Sequence, residues 1–304
     1  MISSAHGHRV LVTGATGFLG GPVTRALIEA GHEVHGIARN GESDAFVVHR
    51  VDMLDTKATE AVVADLAPTH LVHLAWTTSH GLFWRDPANL DWAAATMSLV
   101  RSFQQSGGRR AVLVGSCAEY DWSRAGPYAE AAAGPAPETL YGAAKLATGL
   151  ATTAFGAETG IELAWARLFH LYGPGEDRQR VVPLLFEAAS RGVPLQLDHP
   201  ANVVDLMHVD DAADTLVDVL HSDLVGPVNV ATGTPTTLGS VARLVSELVG
   251  VESPRHSGAP SVGRQVHADT SRLCGEVHVR TPRTPEDGLA DVWHHYRSLD
   301  RETP

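Results

Sequence analysis

Short apolar runs alternate with longer stretches of helical periodicity over the first half of the chain. The runs predict buried strands at residues 9–13, 32–38, 46–51, 71–75, 111–115 and 161–167. Strands that are apolar along their whole length and separated by helices are typical of a parallel sheet that helices cover on both faces. The pattern therefore predicts an α/β fold with a doubly wound parallel sheet, which binds ligands beyond the carboxyl ends of its strands.

Beyond residue 170 the pattern is less regular. Prolines at positions 174, 183, 194 and 200 separate short segments, and helices are predicted over residues 208–221, 238–249 and 286–298. No internal repeat and no low-complexity linker divides the sequence. We expect this half to supply the rest of the sheet, interleaved with a smaller lobe.

Composition limits the class of function. The 304 residues are 44% apolar and 19% charged, which is ordinary for a globular protein, and the net charge of −12 disfavours a nucleic-acid partner. The two cysteines, Cys117 and Cys274, form no CxxC pair, and the 17 histidines show no HExxH spacing, so no disulfide framework or metal site is predicted. No run resembles a membrane span or a signal peptide, so we expect a cytoplasmic protein without a membrane partner.

Gly14, Gly17 and Gly20 follow the first predicted strand directly and open the next predicted helix. Glycines in such a turn permit a sharp bend, close approach of the backbone to a pyrophosphate, and close packing of helix on strand. The spacing is GxxGxxG rather than GxGxxG, and the position between a strand and a helix is what makes it specific. The turn therefore predicts a dinucleotide site.

The end of the second predicted strand bears on which dinucleotide binds. It reads His35-Gly36-Ile37-Ala38-Arg39-Asn40 and contains no acidic residue. An acid at this place binds the ribose 2′-hydroxyl of NAD, whereas an arginine accommodates the 2′-phosphate of NADP. Arg39 therefore favours NADP(H), and NAD(H) stays open as the alternative cofactor.

Tyr141 and Lys145 are spaced to share one face of a helix. With two lysines and five tyrosines in the chain, this YxxxK spacing is unlikely to arise by chance. A free phenol has a pKa of about 10, and a neighbouring ammonium favours the phenolate and lowers that pKa, which makes the tyrosine a better proton donor. Ser116, at the end of the fifth predicted strand, is placed to hydrogen-bond a substrate carbonyl beside Tyr141.

In this order and spacing, the three glycines together with Ser116, Tyr141 and Lys145 resemble the extended short-chain dehydrogenases/reductases. Segments 52–53, 72–75, 167–174 and 205–211 resemble further motifs of that family, so the resemblance spans nearly the whole chain. It implies a Rossmann-type sheet over residues 1–170 that binds the cofactor. It also implies a small C-terminal lobe over residues 171–304, mainly for substrate, and catalytic roles for the serine, tyrosine and lysine.

The resemblance also implies which residues surround the two ligands. The cofactor would contact Gly14, Thr16, Gly17, Phe18, Leu19, Gly20, Arg39, Asp52, Met53, Leu74, Ala75, Trp76, Tyr141, Lys145, Leu168 and His170. The substrate, expected to be a nucleotide-linked sugar, would contact Trp76, Glu119, Tyr120, His170, Arg180 and Arg264. Helices over residues 88–106 and 141–158 form dimers in similar proteins, so we expect a homodimer.

The residues after Ser116 narrow the reaction within the family. Sugar dehydratases and decarboxylases carry an acid two places after the serine, where this chain has Ala118. Glu119 lies one step further and, by strand alternation, faces the opposite way. The family's epimerase–reductase that makes GDP-fucose has a histidine where this chain has Arg180. What remains is carbonyl reduction, or 4-epimerisation with bound NAD. Segments 115–122 and 167–174 are most similar to sugar 4-ketoreductases, which predicts NADPH-dependent reduction of a 4-keto-6-deoxyhexose nucleotide.

Two positions depart from the family pattern. His170 replaces an asparagine that meets the substrate, and Val204 replaces an arginine that contacts the diphosphate. Arg264, Arg180 or Arg178 would supply the missing charge; otherwise the substrate is a carbonyl compound without a nucleotide. An NAD-dependent 4-epimerase and a non-enzymatic NADP sensor are the remaining alternatives, and the intact tyrosine–lysine pair disfavours the sensor.

Overall fold

The computed structural model describes residues 7–77, 81–131, 135–193, 197–252 and 263–302. Its strands in chain order are β1 (Arg9–Thr13), β2 (Glu33–Ala38), β3 (Val47–Arg50), β4 (His70–His73), β5 (Arg110–Ser116), β6 (Glu162–Leu168), β7 (His170–Tyr172), β8 (Val203–His208), β9 (Gly226–Val230), β10 (Pro235–Thr237) and β11 (Gln265–Val266). Its helices are α1 (Gly20–Glu29), α2 (Thr56–Leu66), α3 (Ala88–Gln105), α4 (Leu140–Thr159), α5 (Val181–Ser190), α6 (Val209–Leu220), α7 (Leu238–Val249), α8 (Ser271–Glu276) and α9 (Pro285–Glu302).

Seven parallel strands form the central sheet, in the order β3-β2-β1-β4-β5-β6-β9. The inner strand β5 is buried at every position, because helices cover both of its faces. This explains why the strands appear in the sequence as continuous apolar runs. The predicted α/β fold class is confirmed.

Two apolar layers hold the helices on the sheet. One layer packs α1 and α6 against one face, with Val23, Leu27 and Leu216 fully buried. The other packs α2, α3 and α4 against the opposite face, where Val63, Leu99 and Phe103 are likewise buried. The fold is therefore a three-layer α/β/α sandwich of the Rossmann type.

The chain changes direction across the sheet between β1 and β4. From β1 it continues to β2 and β3 on one side, and it then returns to β4 on the other side. Helices on opposite faces diverge at such a point and leave a crevice at the carboxyl ends of the strands. The glycine turn after β1 and the ends of β4, β5 and β6 all lie at this crevice.

The second half of the chain builds a small lobe and also completes the main sheet. In the lobe β8 pairs with β7, β10 and β11, and α5, α7 and α9 share an apolar core around Phe186 and Val241. β9, from the same half, forms the outer strand of the main sheet. The predicted boundary at residue 170 stays a prediction, and the two parts are interleaved in sequence. None of the described helices is both long and apolar enough to cross a membrane.

Candidate active site

The turn between β1 and α1 is closed by glycines in close contact. Gly14 has a φ of +70°, and its carbonyl oxygen accepts a hydrogen bond from the Gly17 N–H at 3.0 Å. A Cβ on Gly20 would overlap that carbonyl oxygen, so only glycine lets the helix approach the turn this closely. No side chain caps α1 at Leu19, and its first turn carries no acid. The unpaired N–H groups and the positive end of the helix dipole therefore suit a dinucleotide diphosphate.

The residues expected around the adenosine end lie at the same edge of the sheet. Arg39 is solvent-exposed directly after β2, and the Thr16 hydroxyl donates to the backbone carbonyl of Asn40 at 3.1 Å. Met53 is buried in the core, whereas Asp52 is exposed and its carboxylate accepts the backbone N–H two residues further on. An exposed cation and no acid at the end of β2 are compatible with a 2′-phosphate.

The strand ends next to β1 form the sides of the crevice. Leu74 and Ala75 follow β4, and their N–H groups donate to the backbone carbonyl and the hydroxyl of Thr13 at 3.2 and 3.3 Å. On the other side Leu168 ends β6 in register with Ser116. Phe18 lies half-buried on the glycine turn. The expected cofactor contacts are thus brought to one edge of the sheet.

Ser116, Tyr141 and Lys145 converge at the carboxyl end of β5. Ser116 is the buried last residue of β5, and its Oγ accepts the N–H of Ala118 at 3.1 Å, which leaves its hydroxyl hydrogen free to donate. The Ser116 hydroxyl lies close enough to Tyr141 to lower the pKa of its phenol. Tyr141 and Lys145 occupy the first turns of α4, which begins where the Thr139 side chain caps it. The predicted catalytic residues therefore lie together.

Lys145 is enclosed in the interior, whereas Tyr141 is half-buried. Lys145 is 3% exposed; its Nζ donates to the Val114 carbonyl at 2.8 Å and lies 3.9 Å from the ring centroid of Trp76. Burial lowers the pKa of Lys145 to about 7. Burial also raises the pKa of the Tyr141 phenol above its ordinary value, and the Ser116 hydrogen bond opposes that rise. In the chain alone, burial therefore governs the pKa of Tyr141 and raises it, whereas the sequence predicts a pKa lowered by Lys145.

Three aromatic rings enclose Tyr141, two of which the sequence analysis missed. The rings of Phe83, Trp84 and Trp76 stand edge-on to it, with centroid distances of 4.9, 5.6 and 6.5 Å. The Tyr141 N–H also donates to the Trp84 carbonyl at 3.1 Å, which ties this segment to the start of α4. The adjacent pair Phe83-Trp84 soon after β4 is the signal that could have found them.

Glu119 does not lie where strand alternation places it. β5 ends at Ser116, and Cys117–Glu119 forms a 3₁₀ turn rather than further strand. The turn directs Glu119 into the interior, where it is 0% exposed. Its carboxylate accepts the Ser116 N–H at 2.9 Å and the Trp165 indole N–H at 3.0 Å, and it pairs with Arg167 at 2.7 Å. The structure therefore contradicts the expectation that Glu119 contacts substrate.

Tyr120 is a second correction of the same kind. It is 1% exposed; its hydroxyl donates to the Asn229 side chain at 2.7 Å and accepts from Arg167 at 3.0 Å. Burial raises the pKa of Tyr120 to about 12. Tyr120 and Glu119 thus form a buried network with Arg167 that supports the Ser116 end of β5, and Tyr120 does not face a substrate.

Arg180, His170 and Glu176 lie near one another between β7 and α5, since the charge of Arg180 acts on the pKa of each of the other two. The guanidinium carbon of Arg180, at the start of α5, lies 5.9 Å from the ring centroid of Phe83. Nδ1 of His170 and Oε2 of Glu176 are buried without a hydrogen-bond partner among the described residues. Burial lowers the pKa of His170 to about 4 and raises the pKa of Glu176 to about 8. No motif in the sequence pointed to Glu176.

The other expected charge contacts lie further out. Arg264 pairs with Glu138 at 3.2 Å and lies 6.0 Å from the ring centroid of Trp122. The centroids of the Trp122 and Trp84 rings are 5.8 Å apart, and Trp84 contacts Tyr141. Arg264 is therefore separated from the phenol by these two rings. Val204, where the family has an arginine, is buried in β8. Arg178 is solvent-exposed.

Comparison with known proteins places this geometry in a family. The profile of the NAD dependent epimerase/dehydratase family matches residues 10–231. The chain belongs to that family. Membership confirms the resemblance to extended short-chain dehydrogenases/reductases, and it makes the chain an enzyme with oxidoreductase-type chemistry that uses a nicotinamide cofactor.

Named relatives of this epimerase/dehydratase differ in the reaction they carry out. The dTDP-L-rhamnose 4-epimerase of Burkholderia thailandensis is 24% identical over 95% of each chain. The 3-diazoavenalumate denitrifying reductase of a Streptomyces species is 28% identical over 81% of this chain and 83% of the relative. The UDP-glucose 4-epimerase of Thermus thermophilus, solved with NAD, is 27% identical with a TM-score of 0.82, over 95% of this chain and 99% of that one. The choice of reaction therefore rests on the site.

The site suits the chemistry that the family requires. A bound nicotinamide dinucleotide supplies or accepts a hydride. The glycine turn has the uncapped N–H groups that its diphosphate needs, and Lys145 lies where the ends of β4 and β5 meet. Beside them, Ser116 and Tyr141 offer two hydroxyl groups to one carbonyl oxygen, one to orient it and one to exchange a proton with it.

Proposed function

We propose that this enzyme uses NADPH to reduce the ketone of a nucleotide-linked 4-keto-6-deoxyhexose. One observation carries the proposal: Ser116, Tyr141 and Lys145 are assembled at the end of β5, while the carboxylate of the adjoining turn is bound to Arg167. These residues can thus orient and protonate a carbonyl oxygen. They include no further acid or base of the kind that elimination of water or loss of a carboxyl group needs.

Each side chain has one role in this reaction. The Ser116 hydroxyl, free to donate, holds the carbonyl oxygen. Tyr141 gives its phenolic proton to that oxygen as hydride arrives at the carbon, and the product alcohol leaves a phenolate behind. Lys145 binds the ribose of the cofactor. To do so, its ammonium must either give up its hydrogen bond to the Val114 carbonyl or donate to both groups. Phe83 and Trp84 exclude water from the phenol.

Elimination of water and loss of a carboxyl group are disfavoured by the same geometry. Both reactions need a carboxylate near the reacting sugar carbons, and the family position for it is Ala118. The 3₁₀ turn buries Glu119 against Arg167 and Trp165, so Glu119 does not replace it. Hydride transfer at a single carbon is the chemistry that these residues support.

The choice of NADP(H) rests on Arg39. It is exposed at the end of β2, no acid stands beside it there, and the exposed Thr16 hydroxyl binds the adjacent backbone rather than Arg39. A guanidinium at this place pairs with a 2′-phosphate, whereas NAD enzymes usually place a carboxylate on the 2′-hydroxyl. The Streptomyces relative, whose name describes a reductase, is in keeping with net reduction.

A 4-epimerase is the second candidate. The Thermus and Burkholderia relatives both carry that activity in their names. Such a reaction uses the same serine and tyrosine, and it returns the hydride to the opposite face of the same carbon with no net oxidation. It calls for tightly held NAD, which Arg39 disfavours.

Two measurements on the purified enzyme decide between the candidates. Denaturation followed by chromatography identifies any retained nucleotide, and absorbance at 340 nm follows NADPH with dTDP-4-keto-6-deoxyglucose as substrate. We expect little retained NAD, stoichiometric loss of NADPH, and loss of at least about 100-fold in turnover for Tyr141→Phe. Retained NAD with interconversion of UDP-glucose and UDP-galactose and no loss of NADPH would establish the epimerase instead.

A further inference from the structure

A phenol among apolar rings needs a positive charge nearby if it is to give up a proton. In this enzyme Tyr141 is half-buried among Phe83, Trp84 and Trp76, and desolvation raises its pKa. Donation of the proton leaves a phenolate among these rings, which a low dielectric makes costly. Some cation must offset that cost.

Lys145, the cation that the sequence indicates for this task, is only partly available. Its Nζ donates to the Val114 carbonyl at 2.8 Å and sits 3.9 Å from the Trp76 centroid, on the side of the cofactor. Because burial lowers its pKa to about 7, the amine is only partly charged at neutral pH. The nicotinamide ring becomes positive once it has given up its hydride, and a second protein cation would add to that charge. Arginine is suited to this because it stays charged when buried.

Arg180 is in place for that task. Its guanidinium carbon is 5.9 Å from the centroid of Phe83, and the same ring meets Tyr141 edge-on at 4.9 Å. Among the described residues no carboxylate oxygen lies within ion-pair distance of its side chain. The nearby acid is Glu176, whose carboxyl has a pKa raised by burial to about 8 and is mostly neutral at pH 7. The positive charge of Arg180 is therefore not cancelled locally.

We propose that Arg180 stabilises the phenolate form of Tyr141, and so positions that residue electrostatically for proton donation. This role rests on the proposed function, since it assumes that Tyr141 is the proton donor. It differs from the role that the sequence suggests for Arg180, a contact to the substrate diphosphate. In the proton-transfer step the phenol O–H bond breaks, the proton passes to the oxygen of the carbonyl that hydride from NADPH reduces, and the phenol is left with a negative charge. Among the charged groups around Tyr141, the carboxylate of Glu119 acts against the phenolate, and the charge of Arg180 acts in its favour.

The test measures the ionisation of Tyr141 without any substrate. Enzyme labelled with ¹³C at the tyrosine Cζ is titrated by NMR from pH 6 to pH 11 with saturating NADP⁺, and Tyr141→Phe assigns the resonance. We expect Tyr141 to titrate below pH 10 in the wild type. In Arg180→Met we expect its midpoint to rise by about one unit or more, while Arg180→Lys, which keeps the charge, rises less. Arg178→Met is the matched control, because Arg178 is exposed two residues away, and its midpoint should stay at the wild-type value.

Three outcomes overturn the proposal: an unchanged midpoint in Arg180→Met, equal shifts in Arg180→Met and Arg178→Met, or a wild-type phenol that stays protonated to pH 11. Circular dichroism at each pH verifies that all variants remain folded. The titration is independent of turnover, so failure of the reductase assay with a normal Arg180 effect rejects the substrate but not the role of Arg180. Turnover with no Arg180 effect rejects only the role.

Discussion

The carboxylate of Glu119 is the clearest case in which a single residue serves structure rather than chemistry. It lies three residues after Ser116, the proposed catalytic serine, and is 0% exposed. It binds the N–H of Ser116, the indole of Trp165 and the guanidinium of Arg167. A buried ion pair contributes little relative to an apolar pair, but removal of one partner leaves an uncompensated charge in the interior.

Glu119→Gln should therefore lower the free energy of unfolding by about 3 kcal/mol, because Arg167 then stays buried without a counter-charge. Urea unfolding followed by circular dichroism measures this, with Glu158→Gln as the control on the exposed end of α4. Wild-type stability combined with a large loss of turnover would instead mean that Glu119 acts in the reaction.

Residue spacing predicted that the candidate catalytic residues lie together, but not what surrounds them. The proximity of Ser116, Tyr141 and Lys145 follows because a helix fixes the i, i+4 relation and a strand end fixes the serine. The direction of Glu119 depended on whether β5 continues past Ser116, and three residues of 3₁₀ turn carry no periodicity that distinguishes them from a strand. Phe83 and Trp84 reach Tyr141 only through the packing of distant segments, which spacing does not encode.

At the scale of elements, the junction of β1 with α1 has the most demanding geometry. Gly14 adopts a φ of +70°, and the space for a Cβ on Gly20 is filled by the backbone of the turn. The adjacent Gly21 has open space around its Cβ position, although it lies on the same helix. A comparison of alanine at position 20 with alanine at position 21 therefore distinguishes the effect of a methyl group in the turn from the general effect of alanine in a helix.

Gly20→Ala should weaken NADPH binding by at least about tenfold, since the turn must open to admit the methyl group and its N–H groups then no longer converge. Gly21→Ala should bind NADPH as the wild type does. Quenching of tryptophan fluorescence on titration with NADPH measures both dissociation constants. Equal affinities for the two variants would show that this turn does not hold the cofactor.

The segment between β7 and α5 carries the buried carboxyl of Glu176. Since burial raises its pKa from 4.5 to about 8, the folded chain holds a proton there that the unfolded chain has lost. Between these values folding takes up this proton, so the contribution of Glu176 to stability falls as pH rises through the window.

Glu176→Gln should remove that dependence. The free energy of unfolding of this variant minus that of the wild type should rise between pH 5 and pH 8, by at most about 1.4 kcal/mol per pH unit. Urea unfolding at several pH values measures the difference, with Glu158→Gln again as the control. A difference that is constant across the window would mean that Glu176 is ionised in the folded enzyme.

Six of the seven strands of the main sheet and the helices α7 and α9 of the small lobe were predicted within a few residues, whereas β9 and the short strands of the small lobe were not. The inner strands β1, β4, β5 and β6 are buried at all or all but one of their positions, so their apolar runs mark them out. β7 and β10 span three residues each and β11 two, and they pair with β8 from distant parts of the sequence. Segments this short show no alternation, so only tertiary pairing defines them.

At the scale of the whole molecule, the outer surface of α3 and α4 is the feature that bears on assembly. Leu90 and Met97 are 60% and 41% exposed on α3, and Leu150 is 63% exposed on α4. Exposed alanines continue the apolar surface at positions 94, 143, 147, 151 and 154. A surface of this kind on two adjacent helices favours a partner, and the homodimer expected from the sequence would cover it.

Leu150→Glu should convert the dimer to a monomer, since two acidic side chains would meet across a two-fold axis. Sedimentation equilibrium at micromolar concentration measures the mass. Val225→Glu, which changes a 49% exposed valine before β9, should leave the dimer intact. A wild-type enzyme that is monomeric at this concentration would contradict the proposal.

Net transfer of hydride from NADPH to a sugar ketone is the central reaction proposed for this enzyme. The most direct measurement uses NADPH deuterated at C4 of the nicotinamide, dTDP-4-keto-6-deoxyglucose as acceptor, and mass spectrometry of the product. The account predicts a product that is heavier by one deuterium at the reduced carbon, in amounts equal to the NADPH consumed, and no product with Tyr141→Phe. A sugar product without deuterium, formed while the NADPH remains, would contradict it.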